Sequence, residues 1–397
     1  MLSREQTTPI PNTGVMPTLG DTSVGLCQRA WVEINLAALT NNVQQLKRFL
    51  KPGTDLMAVV KADAYGHGAV TVSKTALKAG ATWLGVATVE EGIALREADI
   101  TAPILILGAV NTPEQIRAIA AWQLQPTLCT PQQALVFSET LAAIDQTLPV
   151  HLKLDTGMSR LGMPWQEALE FVELVKCLPA LKIASIYSHL ATADDPNPMV
   201  VKLQHQRFEE AIAQIRVAGM AHHKLHLANS AGTLSDRALH YDMVRVGLGL
   251  YGLYPAEHLS HSVQLQPALQ VKARVTQVKT IVAGTGVSYS YRFVAEREMR
   301  LAVVGIGYAD GVPRSLSNKL TVLIRGQKVQ QVGAITMDQL MLDVSQIPDL
   351  QPGEVVTLIG KDGEWQISAD DWAETLETIS WEILCGFKQR LPRVTVG

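Results

Sequence analysis

The chain has 397 residues and a net charge of −3, from 34 basic and 37 acidic side chains. Hydrophobic residues make up 47% and charged residues only 18%, which excludes a disordered polymer and leaves no basic excess for a nucleic-acid backbone. No run approaches the ~18 consecutive apolar residues of a membrane span, so neither nucleic acid nor membrane is expected as a partner.

In chain order, residues 1–28 are rich in Thr, Pro and Gly and lack the basic and apolar regions of a signal peptide, so they are expected to form a flexible arm. Cys27, Cys129, Cys177 and Cys385 are scattered and form no C-x-x-C pair, which fits a reducing cytoplasm. Residues 30–34 read as a strand, and Asn35 is placed to cap an amphipathic helix carrying Leu36, Leu39, Val43, Leu46 and Leu50. Short apolar runs then alternate with helical stretches. The runs are 56–60, 83–87, 104–107, 124–128, 150–154, 183–187, 225–228 and 243–246; the helices include 69–79, 131–143, 165–177 and 199–218. Such alternation predicts a parallel sheet with helical crossovers. Eight units favour a (β/α)8 TIM-type barrel, whose usual size is about 250 residues, over an open doubly wound sheet.

Past residue 254 the texture changes. Residues 268–282, 286–293, 300–307, 320–324, 340–344 and 355–359 are rich in Val, Thr and Ile between Gly and Pro turns. One helix is expected over 370–385, opened by Ser368 and Asp371 at capping-box spacing. The expected fold class is therefore α/β, an N-terminal barrel over 29–259 and a C-terminal mainly β domain over 260–397. The first strand is free to pair with the second domain.

Barrel chemistry sits at the C-terminal strand ends. Those ends carry Lys61, Asp155, His189, Asn229 with Ser230, and Arg245, a convergent polar set. Lys61 follows an apolar strand directly, so desolvation favours its neutral, nucleophilic amine; it is either a Schiff-base lysine or a rim lysine with a snorkelling stem. Gly247, Gly249 and Gly252 spell G-x-G-x-x-G after a strand, but Pro255 interrupts any helix and no dinucleotide unit follows. Such a turn still offers backbone N–H groups to one phosphate, and a lysine imine with a phosphate-bearing ligand points to pyridoxal phosphate (PLP). Arg245 either faces the pyridine nitrogen, where it cannot supply a proton, or pairs with Asp242 at the rim. His222, His223 and His226 lie at a strand entry, away from this cluster, and no metal is expected there. Asp194 and Asp195 read as a solvated turn.

The segment AVVKADAYGHG (58–68) resembles the PLP-lysine signature of alanine racemases. Further blocks resembling that family are HLKLDTGMSRLG (151–162), YSHLATAD (187–194), LANSAG (227–232), VRVGLGLYG (244–252), GVSYSYRF (286–293), GIGYADGVPR (305–314) and GAITMDQLMLDV (333–344). The resemblance implies that Lys61 holds PLP and acts as the base on one face of the substrate, with Tyr289 as the base on the other. It implies that Tyr65, Ser230 and the backbone at Gly247 and Leu248 hold the phosphate, and that His189 steadies Arg245 against the pyridine nitrogen. Arg160 and the backbone of Met337 would receive the substrate carboxylate, Tyr308 would narrow the entrance, and Asp338 of the β domain would be a supporting residue. Lys153 matches a lysine often carbamylated in the family. Tyr289 and Met337 would come from a second copy, making a homodimer with shared active sites. The implied reaction is interconversion of L- and D-alanine for peptidoglycan synthesis in the cytoplasm. A serine-directed or broader racemase, a PLP decarboxylase of similar layout, and a non-catalytic PLP-binding barrel are the alternatives. Two positions depart from the family pattern: Ser290 stands where glycine is usual, and Gln389 where some members carry a tyrosine.

Overall fold

The structure, a computed structural model, describes residues 28–220 and 223–397. The eight expected barrel strands are Asp55–Val59, Trp83–Val86, Ile104–Ala109, Gln125–Leu128, Leu148–Asp155, Leu181–Tyr187, Lys224–His226 and Met243–Val246. The first seven pair in parallel, each with the next, and the eighth pairs in parallel with the first in the register Val244 to Leu56. The remaining seam is closed by the amides of Asp242 and Arg245, which donate to Leu225 and Ala228 at 3.0 Å each. Closure into a barrel decides against the open sheet.

Alternation along the strands divides the core. Leu56, Ala58, Ile104, Ile106 and Val244 pack outward against the helices, while Met57, Leu105 and Met243 form a separate apolar plug inside. Helix starts follow local capping chemistry. Asn35 accepts from the amide of Ala38, and Thr88 and Glu91 form a capping box before Val89–Glu97. Thr112 and Thr130 each cap a helix whose next residue is proline.

The second sheet is built on the strand Leu269–Ile281, which pairs antiparallel with Met299–Val304 and Val355–Asp362. The first strand, Ala30–Asn35, belongs to this sheet. It runs antiparallel to Leu269–Ile281 and parallel to the last strand, Arg393–Val396. The first and last strands of the described residues are thereby neighbours in one sheet.

Two expectations need correction. The helix expected over 370–385 is two, Ala369–Leu376 and Ser380–Gly386. Glu377 adopts a left-handed conformation (φ 55°) and its amide caps back onto Ala373 and Glu374, after which Ile379 is extended. The stretch 286–293 is not one strand either. Gly286–Val287 pairs with Phe293–Val294, and a 3₁₀ turn, Tyr289–Tyr291, lies between them. The arm 1–28, Cys27 and His222 fall outside the described residues, apart from residue 28 itself.

Candidate active site

A cavity of about 610 Å³ opens at the C-terminal ends of the barrel strands, within the size range of ligand pockets. Its walls include Lys61, Tyr65, Lys153, Arg160, His189, Ser230, Arg245, Gly247 and Leu248. The barrel thus brings together nine of the residues singled out from sequence.

Lys61 enters from a distorted turn. Residues Ala62, Asp63, Ala64 and Tyr65 all have φ between 51° and 54°, a run of left-handed backbone that costs roughly 1–2 kcal/mol per residue. Such strain persists only when the surroundings over-determine it. Asp63 accepts the Ala69 amide at 2.8 Å, and Glu91 accepts the Ala62 amide at 2.6 Å. Nδ1 of His67 donates to the carbonyls of Ala64 and Tyr65. Arg393, from the last strand of the second sheet, donates twice to the carbonyl of Gly66 at 3.0 and 2.9 Å. The turn aims both Lys61 and Tyr65 into the cavity. Burial, then the nearby Arg160, lowers the Lys61 pKa and favours its neutral amine.

The adjoining wall, at the end of the neighbouring strand Met243–Val246, is a cradle of small groups. The hydroxyl of Ser230 accepts the amides of Gly247 and Gly249 at 3.0 and 3.4 Å. A Cβ at Gly247 would fall 2.6 Å from the Tyr65 hydroxyl, so glycine is what lets that hydroxyl reach the turn. Two hydroxyls beside the backbone of a glycine turn, in the same cavity as a lysine, suit a phosphorylated aldehyde such as PLP.

Arg245 is fully buried, and burial pushes its pKa down to about 10. It does not pair with Asp242, whose carboxylate accepts the Leu225 amide. Its guanidinium donates to Nδ1 of His226 at 2.8 Å, Nδ1 of His189 at 3.2 Å, and the carbonyls of Ser188 and Leu227. The guanidinium also lies 5.0 Å from the ring of Tyr187, with Lys153 5.6 Å from that ring. Asp155 shapes the loop to Arg160: its Oδ1 accepts the amides of Gly157, Met158 and Ser159. Asn229 turns inward on itself, accepting from the Gly232 amide.

Models of the N-terminal and C-terminal domains of alanine racemase match residues 34–255 and 268–395. The chain is 69% identical over 378 residues to the alanine racemase of Nostoc sp., covering 95% of this chain and 98% of that protein. It is 64% identical to that of Synechocystis sp., covering 93% and 99%. The solved alanine racemase of Bacillus anthracis with bound L-Ala-P superposes with a TM-score of 0.88 at 35% identity, covering 93% and 95%. That of Streptomyces coelicolor gives 0.88 at 34%, covering 94% and 100%. The chain belongs to the alanine racemase family.

Not every residue implied by the alanine racemase pattern reaches the Lys61 cavity. Tyr289 is 69% exposed, Met337 53% and Tyr308 42%, and none of them, nor Asp338, lines it. Tyr289 instead lines a groove of the second domain with Thr276, Lys279 and Met341. Asp338 accepts from Arg390. Ser290 sits at φ 61° in the Tyr289 turn, the backbone region that favours the glycine expected there from the resemblance. Gln389 is exposed.

The sequence reading missed two residues and misplaced a third. His226, assigned to a strand entry away from the site, is buried and bonded to Arg245. Behind it stand Ser185 and His151, brought beside it by the strand registers Tyr187 to His226 and His151 to Ser185. The parity of these strands was the available signal. Asp194, read as part of a solvated turn, lies on the cavity wall. Among the described residues no group of three or more His, Cys, Asp or Glu could hold a metal. Nor is any helix among them long and apolar enough to cross a membrane.

Proposed function

We propose that this chain interconverts L- and D-alanine with PLP bound through Lys61, in a homodimer whose active sites are shared. The observation that carries the reading is Lys61 in a cavity with Arg160, Arg245 and the Ser230–Gly247 cradle. Tyr65, Ser230, Gly247 and Leu248 would hold the phosphate. When bound, PLP withdraws electrons from the substrate's Cα and acidifies its proton.

The protein's own groups direct that chemistry toward racemisation. Arg245 presents N–H donors to the ring nitrogen and cannot protonate it, which keeps the electron sink weak and favours rapid return of a proton to Cα. His189 and His226 hold that guanidinium in place. Arg160 receives the substrate carboxylate. Lys61, whose pKa is lowered by burial and by Arg160, takes or returns the Cα proton on one face.

A racemase needs a second acid–base group on the opposite face. Burial pushes up the pKa of both tyrosines that line this cavity, Tyr65 and Tyr187, which suits neither to act as a base. The exposed Tyr289, Met337 and Tyr308 of the second domain fit the missing side once a second copy docks. The partner subunit's Tyr289 then serves the other face, and the backbone of the partner subunit's Met337 helps receive the carboxylate. A low proportion of charged residues suits so large an interface. The scattered cysteines fit a reducing cytoplasm, where D-alanine enters peptidoglycan synthesis.

Incubating the full-length protein and PLP with L-alanine in deuterated water tests the reading. Formation of D-alanine bearing Cα deuterium supports it. Ethylamine in place of D-alanine indicates a decarboxylase, and an unchanged substrate without exchange leaves only a non-catalytic PLP-binding barrel.

A further inference from the structure

The left-handed turn after Lys61 begins at one peptide, and one carboxylate holds it. The Ala62 amide donates to Oε1 of Glu91 at 2.6 Å. The other oxygen, Oε2, accepts the amides of Ala87 at 2.6 Å and Thr88 at 3.2 Å. An ordinary capping box needs only the Thr88 contact. Here the same carboxylate also ties the residue that follows Lys61 to the end of the next barrel strand, Trp83–Val86.

The other restraints on the turn act further along. His67 holds Ala64 and Tyr65, Asp63 holds Ala69, and Arg393 holds Gly66. Among these side-chain contacts, that of Glu91 is the one that falls on the Lys61–Ala62 peptide, while on the lysine's other side the Val60 carbonyl accepts the Ala64 amide at 2.9 Å. Glu91 therefore bears directly on the direction in which the Lys61 side chain leaves the backbone. Glu91 also brings a negative charge to the lysine. The other charged or titratable groups acting on Lys61 are Arg160, which disfavours its charge, and Cys385, which favours it. Lys153 and His189 line the same cavity.

We propose that Glu91 is a positioning residue for Lys61, gripping the first peptide of the left-handed turn and aiming the amine into the cavity while its charge stands against the lysine. This rests on the reading of Lys61 as the PLP lysine. Glu91 is not itself among the residues that line the cavity; it acts through Ala62 and Ala87, which are.

Capping and positioning separate cleanly, because the capping box has a second half. Thr88 Oγ accepts the Glu91 amide at 3.3 Å, so Thr88→Ala weakens the cap while leaving the carboxylate on Ala62. Glu91→Gln keeps the volume and one acceptor, but removes the charge and turns an NH2 group toward the Ala87 and Thr88 amides. Two readouts serve on the full-length chain: the dissociation constant for PLP added to cofactor-free protein, and the pH midpoint of Lys61 acylation by trace acetic anhydride, read by peptide mass.

Loss of a charge-assisted hydrogen bond predicts that Glu91→Gln binds PLP at least about tenfold more weakly, with the acylation midpoint shifted to lower pH. Thr88→Ala should stay within about twofold of the parent in affinity, because a cap lost at the surface acts on the helix rather than on the turn. Glu91→Ala should follow Glu91→Gln, and if it fails to fold the glutamine variant decides. Parental affinity and an unchanged midpoint in Glu91→Gln overturn the proposal, as does an equal loss in Thr88→Ala. If the parent itself takes up no PLP at Lys61, the cofactor reading falls, and the acylation midpoints still judge Glu91.

Discussion

Nδ1 of His226 accepts a hydrogen bond from the Arg245 guanidinium at 2.8 Å, and that single contact orders a chain of protons across the barrel. An arginine N–H can only donate, so Nε2 of His226 carries the ring's proton and donates to Ser185 Oγ at 2.8 Å. Ser185 must then donate to Nδ1 of His151 at 2.5 Å, and Nε2–H of His151 to Oε1 of Gln125 at 2.7 Å. Burial drives both imidazoles toward neutrality, His151 down to about 3 and His226 well below the ordinary value. Arg245 therefore meets neutral acceptors at any working pH.

Cutting the chain at its middle should be costly without touching the cavity. Ser185→Ala leaves the Nε2–H of His226 and Nδ1 of His151 without their partner, and each unsatisfied buried group costs about 1–3 kcal/mol. Urea unfolding should show a loss of that size for Ser185→Ala. An unchanged midpoint would mean that the imidazoles find other partners.

A second network holds the segments that carry Tyr308 and Asp338. Arg29 donates to both oxygens of the buried Asp310 at 2.7 and 2.9 Å. Arg390 lies 3.5 Å from the same carboxylate and also engages Asp338. Arg29→Ala should destabilise the fold by about 3 kcal/mol, the lower end for breaking a buried pair, because Arg390 still faces Asp310. Thermal unfolding measures this, and a loss below about 1 kcal/mol would show that Arg390 compensates fully.

Lys153 gives stability a pH dependence of known sign. Burial, reinforced by Arg245, pushes its pKa down to about 8 from an ordinary 10.5. Between those values the unfolded chain holds a proton that the folded chain has lost, so stability rises with pH across that window. Below about 8 both states are protonated and the cost of the buried charge is constant. Denaturation at a series of pH values should show a shallower rise for Lys153→Met than for the parent. The same neutral amine is the form that adds carbon dioxide, releasing a proton to solvent, so a ¹³C-labelled carbamate at Lys153 should grow as pH rises through about 8.

The Tyr289 turn carries local strain. Ser288, Ser290 and Tyr291 all have positive φ, at 65°, 61° and 45°. Ser290→Gly removes one of these penalties, partly offset by the greater freedom of an unfolded glycine, for a net gain of up to about 1 kcal/mol. A lower melting temperature in Ser290→Gly would contradict the strain assignment.

Much of this architecture was legible in the sequence because parallel barrel strands are buried on both faces and read as continuous apolar runs. Lys61, Asp155, His189, Ser230 and Arg245 then fell at strand ends by simple counting. The left-handed turn was not legible, since Ala62, Asp63, Ala64 and Tyr65 carry no local signal for positive φ and are held there by Glu91, His67 and Arg393 from elsewhere. His226 and His151 were missed because their importance depends on the register between strands, which local pattern does not fix. The break at Glu377 lacks the glycine or proline that would announce it. Tyr289 could be found in the chain but not placed, because it stands exposed on the second domain, outside the Lys61 cavity, and reaches a site only through the second copy proposed above.

The most direct measurement is complementation between two inactive variants. Lys61→Ala should lose PLP capture, and Tyr289→Phe should keep PLP while losing the roughly 10²–10⁴-fold contribution of an acid–base group. If each site takes Lys61 from one subunit and Tyr289 from the other, a mixed dimer holds one site with both changes and one intact site. Unfolding and reassembling the two variants together in equal amounts should then restore about a quarter of the parental alanine racemisation rate, from random assortment of a two-fold dimer. No recovery, with mixed dimers verified by mass, would contradict a shared site built from Lys61 and the partner subunit's Tyr289.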